Sequence, residues 1–227
     1  MKIVILAAGI GSRLGNPFPK SLTPLVNNQT IMGRQLENIK AYFDINNVTT
    51  VVGFKKDLIM ECFPELNYVY NSFFDRTNTS KSLLKALKKI KGEGVLWFNG
   101  DVVFDEKLLS LLVDDVKKDH SFISVNTSRV AEEEVKYTLK NGFVKELSKE
   151  VKNGLGEAVG INYIGSKDLP DFIAQLEQCD DNDYFEKGLE QAIIENGLKL
   201  KPIDISKYDC IEVDFVEDLE KANETVR

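Results

Sequence analysis

Apolar positions along this chain follow two rhythms, and the change between them organises it. Ile3-Val4-Ile5-Leu6-Ala7-Ala8 is an unbroken β-branched and apolar run, the pattern of a strand covered on both faces in a parallel sheet. A loop holding glycines and prolines extends from Gly9 to Asn28. Ile31, Leu36, Ile39 and Phe43 then recur at roughly helical spacing and predict a helix over Ile31 to Phe43. Strands are expected at Asn47 to Val52 and Asn67 to Asn71, with a short helix over Gly53 to Cys62 between them. Leu83, Leu84, Leu87 and Ile90 mark an amphipathic helix capped by Thr79 or Ser80. Val95-Leu96-Trp97-Phe98 reads as another buried strand, ending at Asn99-Gly100-Asp101.

Beyond Asp101 the rhythm changes. Ser121 to Asn126, Val135 to Leu139 and Phe143 to Leu147 read as strands, the last two joined at Asn141-Gly142, a hairpin signal. Ala158 to Ile164 and Leu200 to Ile203 are further strands. Helices are expected near Asp168 to Gln178, Asp183 to Asn196 and Glu217 to Val226. No repeat or linker breaks the pattern, so one domain over 1–227 is expected. The class is α/β: a three-layer αβα, Rossmann-like arrangement with a mixed, mainly parallel central sheet and a β-hairpin insert. Such a sheet gathers ligands at the carboxyl ends of its strands.

Composition narrows the partners. The 227 residues carry 29 basic and 36 acidic side chains, a formal charge of −7. With no basic block, duplex nucleic acid and anionic membranes are poor partners. Cys62, Cys179 and Cys210 form no CxxC pair and suggest core packing in a reducing compartment. The one histidine, His120, cannot build a zinc site with such scattered cysteines. The apolar opening has only Lys2 before it and runs straight into a glycine turn, so it reads as a strand, not a secretion signal. No stretch has the length needed to span a bilayer, and a cytoplasmic location is expected.

The loop after the first strand carries the chemistry. Gly9-Ile10-Gly11-Ser12-Arg13-Leu14-Gly15 misses the dinucleotide fingerprint, because its third glycine comes one position late and no acidic residue ends the second strand. The Gly-Lys-Ser/Thr of a Walker loop is also absent. What remains is a glycine turn that can bring backbone N–H groups to an anion. Two cations, Arg13 and Lys20, stand beside it on a segment stiffened by Pro17 and Pro19. A forked guanidinium and a point-charge ammonium suit a polyphosphate.

Leu6-Ala7-Ala8-Gly9-Ile10-Gly11-Ser12-Arg13-Leu14, followed by Pro19-Lys20-Ser21-Leu22-Thr23-Pro24-Leu25, closely resembles the signature of nucleotidyltransferases that activate sugar phosphates and related phosphomonoesters. The resemblance continues through Asn99-Gly100-Asp101, Gly156-Glu157-Ala158 and the stretch Ile211 to Leu219. It implies catalytic roles for Arg13 and Lys20. It also implies a nucleotide site of Leu6, Ala7, Ala8, Gly9, Gly11, Ser12, Arg13, Lys20 and Gly100. Asp101 and Asp214 would hold Mg²⁺, a hard cation that suits carboxylate oxygens. By residue type alone, Asp101 could instead cap a following helix, and Glu212 and Asp214 could lie on one solvated strand face. The reaction implied is attack by an acceptor phosphate on the α-phosphorus of a nucleoside triphosphate, with pyrophosphate leaving. An ionised phosphate needs no general base, which agrees with a chain holding one histidine.

Asn71 and the segment Asp75 to Leu83 lack the Gln-bearing motif of hexose-1-phosphate enzymes. They look like the Thr-Asn-x-x-Ser-Leu segment of small bacterial choline-phosphate cytidylyltransferases. By that resemblance Asn78, Thr79 and Ser82 contact the nucleoside, CTP is the nucleotide, and Lys149, Glu157, Tyr184 and Glu212 serve the acceptor. The acceptor is a small phosphomonoester such as phosphocholine or phosphoglutamine, destined for cell-surface or capsule polysaccharide. An aromatic cage for choline could draw on Phe73, Phe74, Tyr163, Tyr184 or Phe185. The alternatives are a sugar-1-phosphate uridylyl- or thymidylyltransferase and a non-catalytic nucleotide sensor. The chain ends soon after Asp214, so no β-helix of the bifunctional acetyltransferase relatives is expected. A homodimer remains open.

Overall fold

In the computed structural model, residues 1–128 and 130–226 are described. In chain order the elements are β1 (Lys2–Ala7), α1 (Ile31–Tyr42), β2 (Val48–Val52), α2 (Lys56–Cys62), β3 (Asn67–Tyr70), α3 (Thr79–Leu87), β4 (Val95–Asn99) and β5 (Val102–Phe104). They continue with α4 (Leu108–Lys117), β6 (Phe122–Asn126), β7 (Lys136–Lys140), β8 (Phe143–Ser148) and β9 (Glu157–Ile164). α5 (Leu169–Gln178), α6 (Phe185–Asn196), β10 (Lys201–Asp204), β11 (Cys210–Glu212) and α7 (Val216–Thr225) complete the chain. Short 3₁₀ turns at Ser12–Leu14 and Lys20–Leu22 punctuate the loop after β1.

The main sheet runs β10-β6-β9-β4-β1-β2-β3. β1 pairs in parallel with β2 and β4, β2 with β3, and β6 with β10, while β9 runs antiparallel between β4 and β6. The β7–β8 hairpin joins through Lys136 opposite Glu157. Its turn places Asn141 and Gly142 at positive φ, the geometry that a tight two-residue connection requires. The expected mixed sheet with a hairpin insert is therefore present.

Side-chain alternation along each strand sends successive residues to opposite faces, and two cores result. Val4, Leu6, Val51 and Trp97 face α3, α5 and α6; Ile3, Ile5, Val52, Leu96 and Phe98 face α1, α2 and α4. Trp97 is fully buried, stacked on Phe172 at 5.7 Å between ring centroids and edge-on to Phe185 at 5.4 Å. A third, smaller cluster holds Val103, Val213 and Ala222, and seats α7 against the two-stranded β5–β11 ribbon.

Four expectations change. Asn78, not Thr79 or Ser80, caps α3, its side chain accepting from the Thr79 amide. Asp101 caps no helix, because Val102-Val103-Phe104 pairs with β11 and α4 begins only at Leu108; three apolar residues that can bury on both faces make a strand there. α4, with Leu108, Leu109, Leu112 and Val116 buried, is absent from the sequence reading. Core packing describes Cys179 and Cys210, whereas Cys62 is exposed.

Candidate active site

The site forms where β1 and β4 leave the sheet side by side. On one flank of β1 the chain returns to β2, and on the other lies β4, so loops diverge from their carboxyl ends and open a crevice. Close approach is built in. The Gly100 amide donates to the Leu6 carbonyl at 2.9 Å, and a Cβ at Gly100 would stand 2.6 Å from that same oxygen. Gly11 has φ 63° and packs so tightly on Lys20 that a Cβ would come within 2.9 Å of the lysine Cβ. Glycine is needed at both positions, once for space and once for space and backbone hand.

Three distant parts of the chain meet at the crevice floor. Lys20 Nζ donates to Asp101 Oδ2 at 2.8 Å and also to Asp214 Oδ1. Arg13 Nη1 donates to Asp214 Oδ2 at 2.8 Å, its guanidinium lying 5.6 Å from the centre of the Phe215 ring. The Val213 amide donates to the Asp101 carbonyl at 3.0 Å, which ties β11 to the end of β4 and sets the two aspartates at one depth. Gln35 on α1 steadies the same turn, its Nε2 donating to the carbonyls of Asn99 at 2.8 Å and Val102 at 2.7 Å.

The charges here are strongly coupled. Burial opposes a charge on Lys20, yet Asp101 and Asp214 hold its pKa well above the usual lysine value. Burial likewise opposes ionisation of Asp214, but Lys20 and then Arg13 keep its carboxyl below the ordinary range. Glu212 reaches solvent at the cleft mouth, but surrounding protein and the charges of Asp101, Asp214 and Glu134 push it well above its usual value. Carboxylate oxygens of Asp101, Glu212 and Asp214 lie within 4.8 Å of one another, and the buried Asp101 Oδ1 has no hydrogen-bond partner among the described residues. An orphaned carboxylate oxygen amid hard oxygen donors fits a divalent cation.

The crevice is the floor of a cleft of about 610 Å³, within the size range of small-ligand sites. Leu6, Ala7, Gly9, Gly11, Arg13, Lys20, Thr79, Gly100, Asp101, Lys149, Glu157, Tyr184, Glu212 and Asp214 all line it. Ala8 and Ser12 lie outside that wall; the Ala8 carbonyl accepts from the Phe54 amide at 3.1 Å. Asn78 and Ser82 also lie outside it. Asn78 caps α3 and donates to the Asn182 carbonyl at 3.3 Å, and the buried Ser82 hydroxyl accepts from Asn71 at 3.0 Å. Thr79 reaches the cleft while its Oγ1 accepts from the Phe185 amide at 3.1 Å.

Of the five aromatic residues considered for a choline cage, Tyr184 and Phe185 border the cleft. Tyr163 is buried and donates to Asp119 at 2.7 Å; Phe74 packs on Phe54, and Phe73 carries Lys85 over its ring. Sequence reasoning missed Glu133 and Glu134 in the wall, whereas Glu186 belongs to Asp183-Tyr184-Phe185-Glu186, a stretch that resembles a family segment lining the acceptor pocket. Glu186 sits in the first turn of α6, where a glutamate ordinarily signals helix stabilisation.

The chain belongs to the family of MobA-like NTP transferase domains, whose model matches residues 3–179. Members of this family bind a nucleoside triphosphate and a phosphorylated acceptor, and usually use a divalent metal. The bifunctional protein GlmU of Methanococcus aeolicus is 32% identical over 123 residues, 52% of this chain and 28% of that protein. The CMP-5'-(3-aminopropyl)phosphonate synthase of Streptomyces rubellomurinus is 33% identical over 121 residues, 49% of this chain and 19% of that protein. The chain thus spans less than a third of the length of either. The CTP:phosphocholine cytidylyltransferase LicC of Streptococcus pneumoniae shares the fold with a TM-score of 0.78 at 19% identity, over 100% of this chain and 99% of that one. Among the described residues, no helix is long and apolar enough to cross a membrane.

Proposed function

We propose that this protein transfers a cytidylyl group from CTP to a small phosphomonoester and releases pyrophosphate. The observation that carries the reading is the convergence of Lys20 and Arg13 on Asp101 and Asp214 beneath the glycine loop. A triphosphate laid along that loop meets backbone amides and two fixed cations. An oxygen of the acceptor phosphate attacks the α-phosphorus and forms the new P–O bond. The bond from the α-phosphorus to the bridging oxygen of pyrophosphate breaks, and its electron pair leaves with pyrophosphate.

No proton need be removed from an ionised phosphate, so catalysis is positioning and charge neutralisation. Lys20 and Arg13 are placed to counter charge on the triphosphate, and Asp101 and Asp214 are the residues that would hold Mg²⁺. Bound there, Mg²⁺ would neutralise charge on the phosphate oxygens. Lys149, Tyr184 and Glu157 border the part of the cleft assigned to the acceptor. CTP is supported by the CMP product named for the Streptomyces relative and by the shared fold of LicC. The sugar-1-phosphate reading, with UTP or dTTP, draws on the fold of a putative glucose-1-phosphate thymidylyltransferase, TM-score 0.78 at 16% identity.

Pyrophosphate release with Mg²⁺, measured across four nucleoside triphosphates and a panel of phosphorylated acceptors, tests this. CTP with one small phosphomonoester should support turnover. Asp101→Asn and Lys20→Ala should each lower it by about 10²-fold or more. Release only with UTP or dTTP and a hexose-1-phosphate would replace the cytidylyl assignment, and full activity of Asp101→Asn would remove the metal assignment.

A further inference from the structure

The acceptor side of the cleft carries an excess of acid that phosphate chemistry does not require. Glu133, Glu134, Glu157 and Glu186 all border the cleft, together with Lys149. Glu186 is half-buried at the cleft wall, and its Oε2 is shut off from water with no hydrogen-bond partner among the described residues. An unsatisfied buried carboxylate oxygen is costly, and a ligand that donates to the group relieves that cost.

Burial drives the Glu186 carboxyl up to about 7 against a hydrogen bond from its own backbone amide and the charge of Lys149, with Glu134 adding to the rise. Burial and Glu157 likewise raise Glu134. Both groups are poised to gain from an incoming positive charge.

The cleft offers little to a cation that lacks N–H groups. A quaternary ammonium is bound mainly by open aromatic faces. Lys149 Nζ lies 4.8 Å from the centre of the Tyr184 ring, and Arg13 lies 5.6 Å from that of Phe215. Phe185 is 1% exposed and packed edge-on against Trp97. The exposed rings that border the site therefore already carry cations of the chain itself.

We infer that the acceptor bears an ammonium group with N–H donors, a primary amine, and that Glu186 together with Glu134 receives it and selects it over quaternary ammonium and uncharged acceptors. This rests on the transfer reading, and it names the acceptor's chemical class and the residues that choose it.

The test compares kcat/KM for pyrophosphate release with CTP and Mg²⁺ on the full chain, using 2-aminoethyl phosphate, phosphocholine and n-propyl phosphate. The amine should exceed the other two by about ten-fold or more, the value of one charged hydrogen bond. Glu186→Gln, nearly isosteric, should bring the ratio of the amine's kcat/KM to that of n-propyl phosphate down toward one. Glu134→Gln should reduce it in part, which keeps the test open if Glu186→Gln fails to fold.

Equal or better use of phosphocholine or n-propyl phosphate would overturn the inference while leaving transfer intact. So would an undiminished amine preference in folded Glu186→Gln. If no triphosphate yields pyrophosphate with any acceptor, the transfer reading fails and calorimetric titration decides the inference by itself. Tighter binding of 2-aminoethyl phosphate than of n-propyl phosphate would support it, and equal or absent binding would overturn it.

Discussion

Gln35→Leu should loosen the turn that carries Asp101 without touching any proposed ligand. Gln35 is 1% exposed on α1, and its Nε2 donates to the Asn99 and Val102 carbonyls at 2.8 and 2.7 Å, one on each side of Gly100-Asp101. Leucine has similar volume, so the change removes two hydrogen bonds without opening a large cavity. At about 1 kcal/mol net per bond, the loss is about 2 kcal/mol. For a chain of 227 residues, that corresponds to a fall in Tm of about 4 °C.

Turnover should fall further than stability implies, because a 1 Å misplacement of a catalytic group can cost about 10²-fold. Urea unfolding is readable through the single, fully buried Trp97, alongside pyrophosphate release. Asn38→Leu is the control. Asn38 lies on the same helix and donates once, to the Phe104 carbonyl at 2.9 Å, so about 1 kcal/mol should be lost with turnover near wild type. Wild-type stability and turnover in Gln35→Leu would refute the reasoning. An equal loss of turnover in Asn38→Leu would show that the effect is not specific to the Asp101 turn.

Two further outcomes are expected. Burial works to raise Asp119, but hydrogen bonds from Ser166 at 2.6 Å and Tyr163 at 2.7 Å hold its carboxyl below the ordinary range. Its stabilisation is thus complete above the unfolded-state pKa of about 3.9 and is lost as pH falls through the lower folded value. The stability gap between wild type and Asp119→Asn should therefore narrow on acidification below about pH 4, as checked by urea midpoints at several pH values. A thiol reagent should titrate Cys62 quickly and Cys179 and Cys210 only on unfolding, since Cys62 is exposed and the other two are buried; burial also raises the Cys179 thiol. Rapid reaction of more than one thiol in the native protein would contradict this packing.

Much of the framework was legible in the sequence because local physics decides it. The run from Ile3 to Ala8 can only be buried on both faces, and β1 lies in mid-sheet with parallel neighbours on each side. The hairpin at Asn141-Gly142 follows from residues that tolerate positive φ. The glycine loop, Arg13 and Lys20 stood out because their order and spacing are unusual, and they meet Asp101 and Asp214 in one crevice. Tertiary structure decided what depends on distance through space. The chain brings Lys20 to Asp214 across 194 positions of sequence, and the β5–β11 pairing, continued by the Val213–Asp101 link, brings the two aspartates together.

Val102-Val103-Phe104 became a strand because β11 was there to pair with it; no local pattern announces a partner more than 100 residues away. Asn78 and Ser82, polar and well placed in sequence, turned inward to cap α3 and bond Asn71, since a buried polar group takes the nearest partner that packing supplies. Glu186 shows the converse. By itself it is a glutamate in the first turn of a helix, and its place in the cleft wall with no donor for its Oε2 among the described residues makes it a candidate ligand. Charge can be counted from the letters, but the cost of burying it belongs to the folded surroundings.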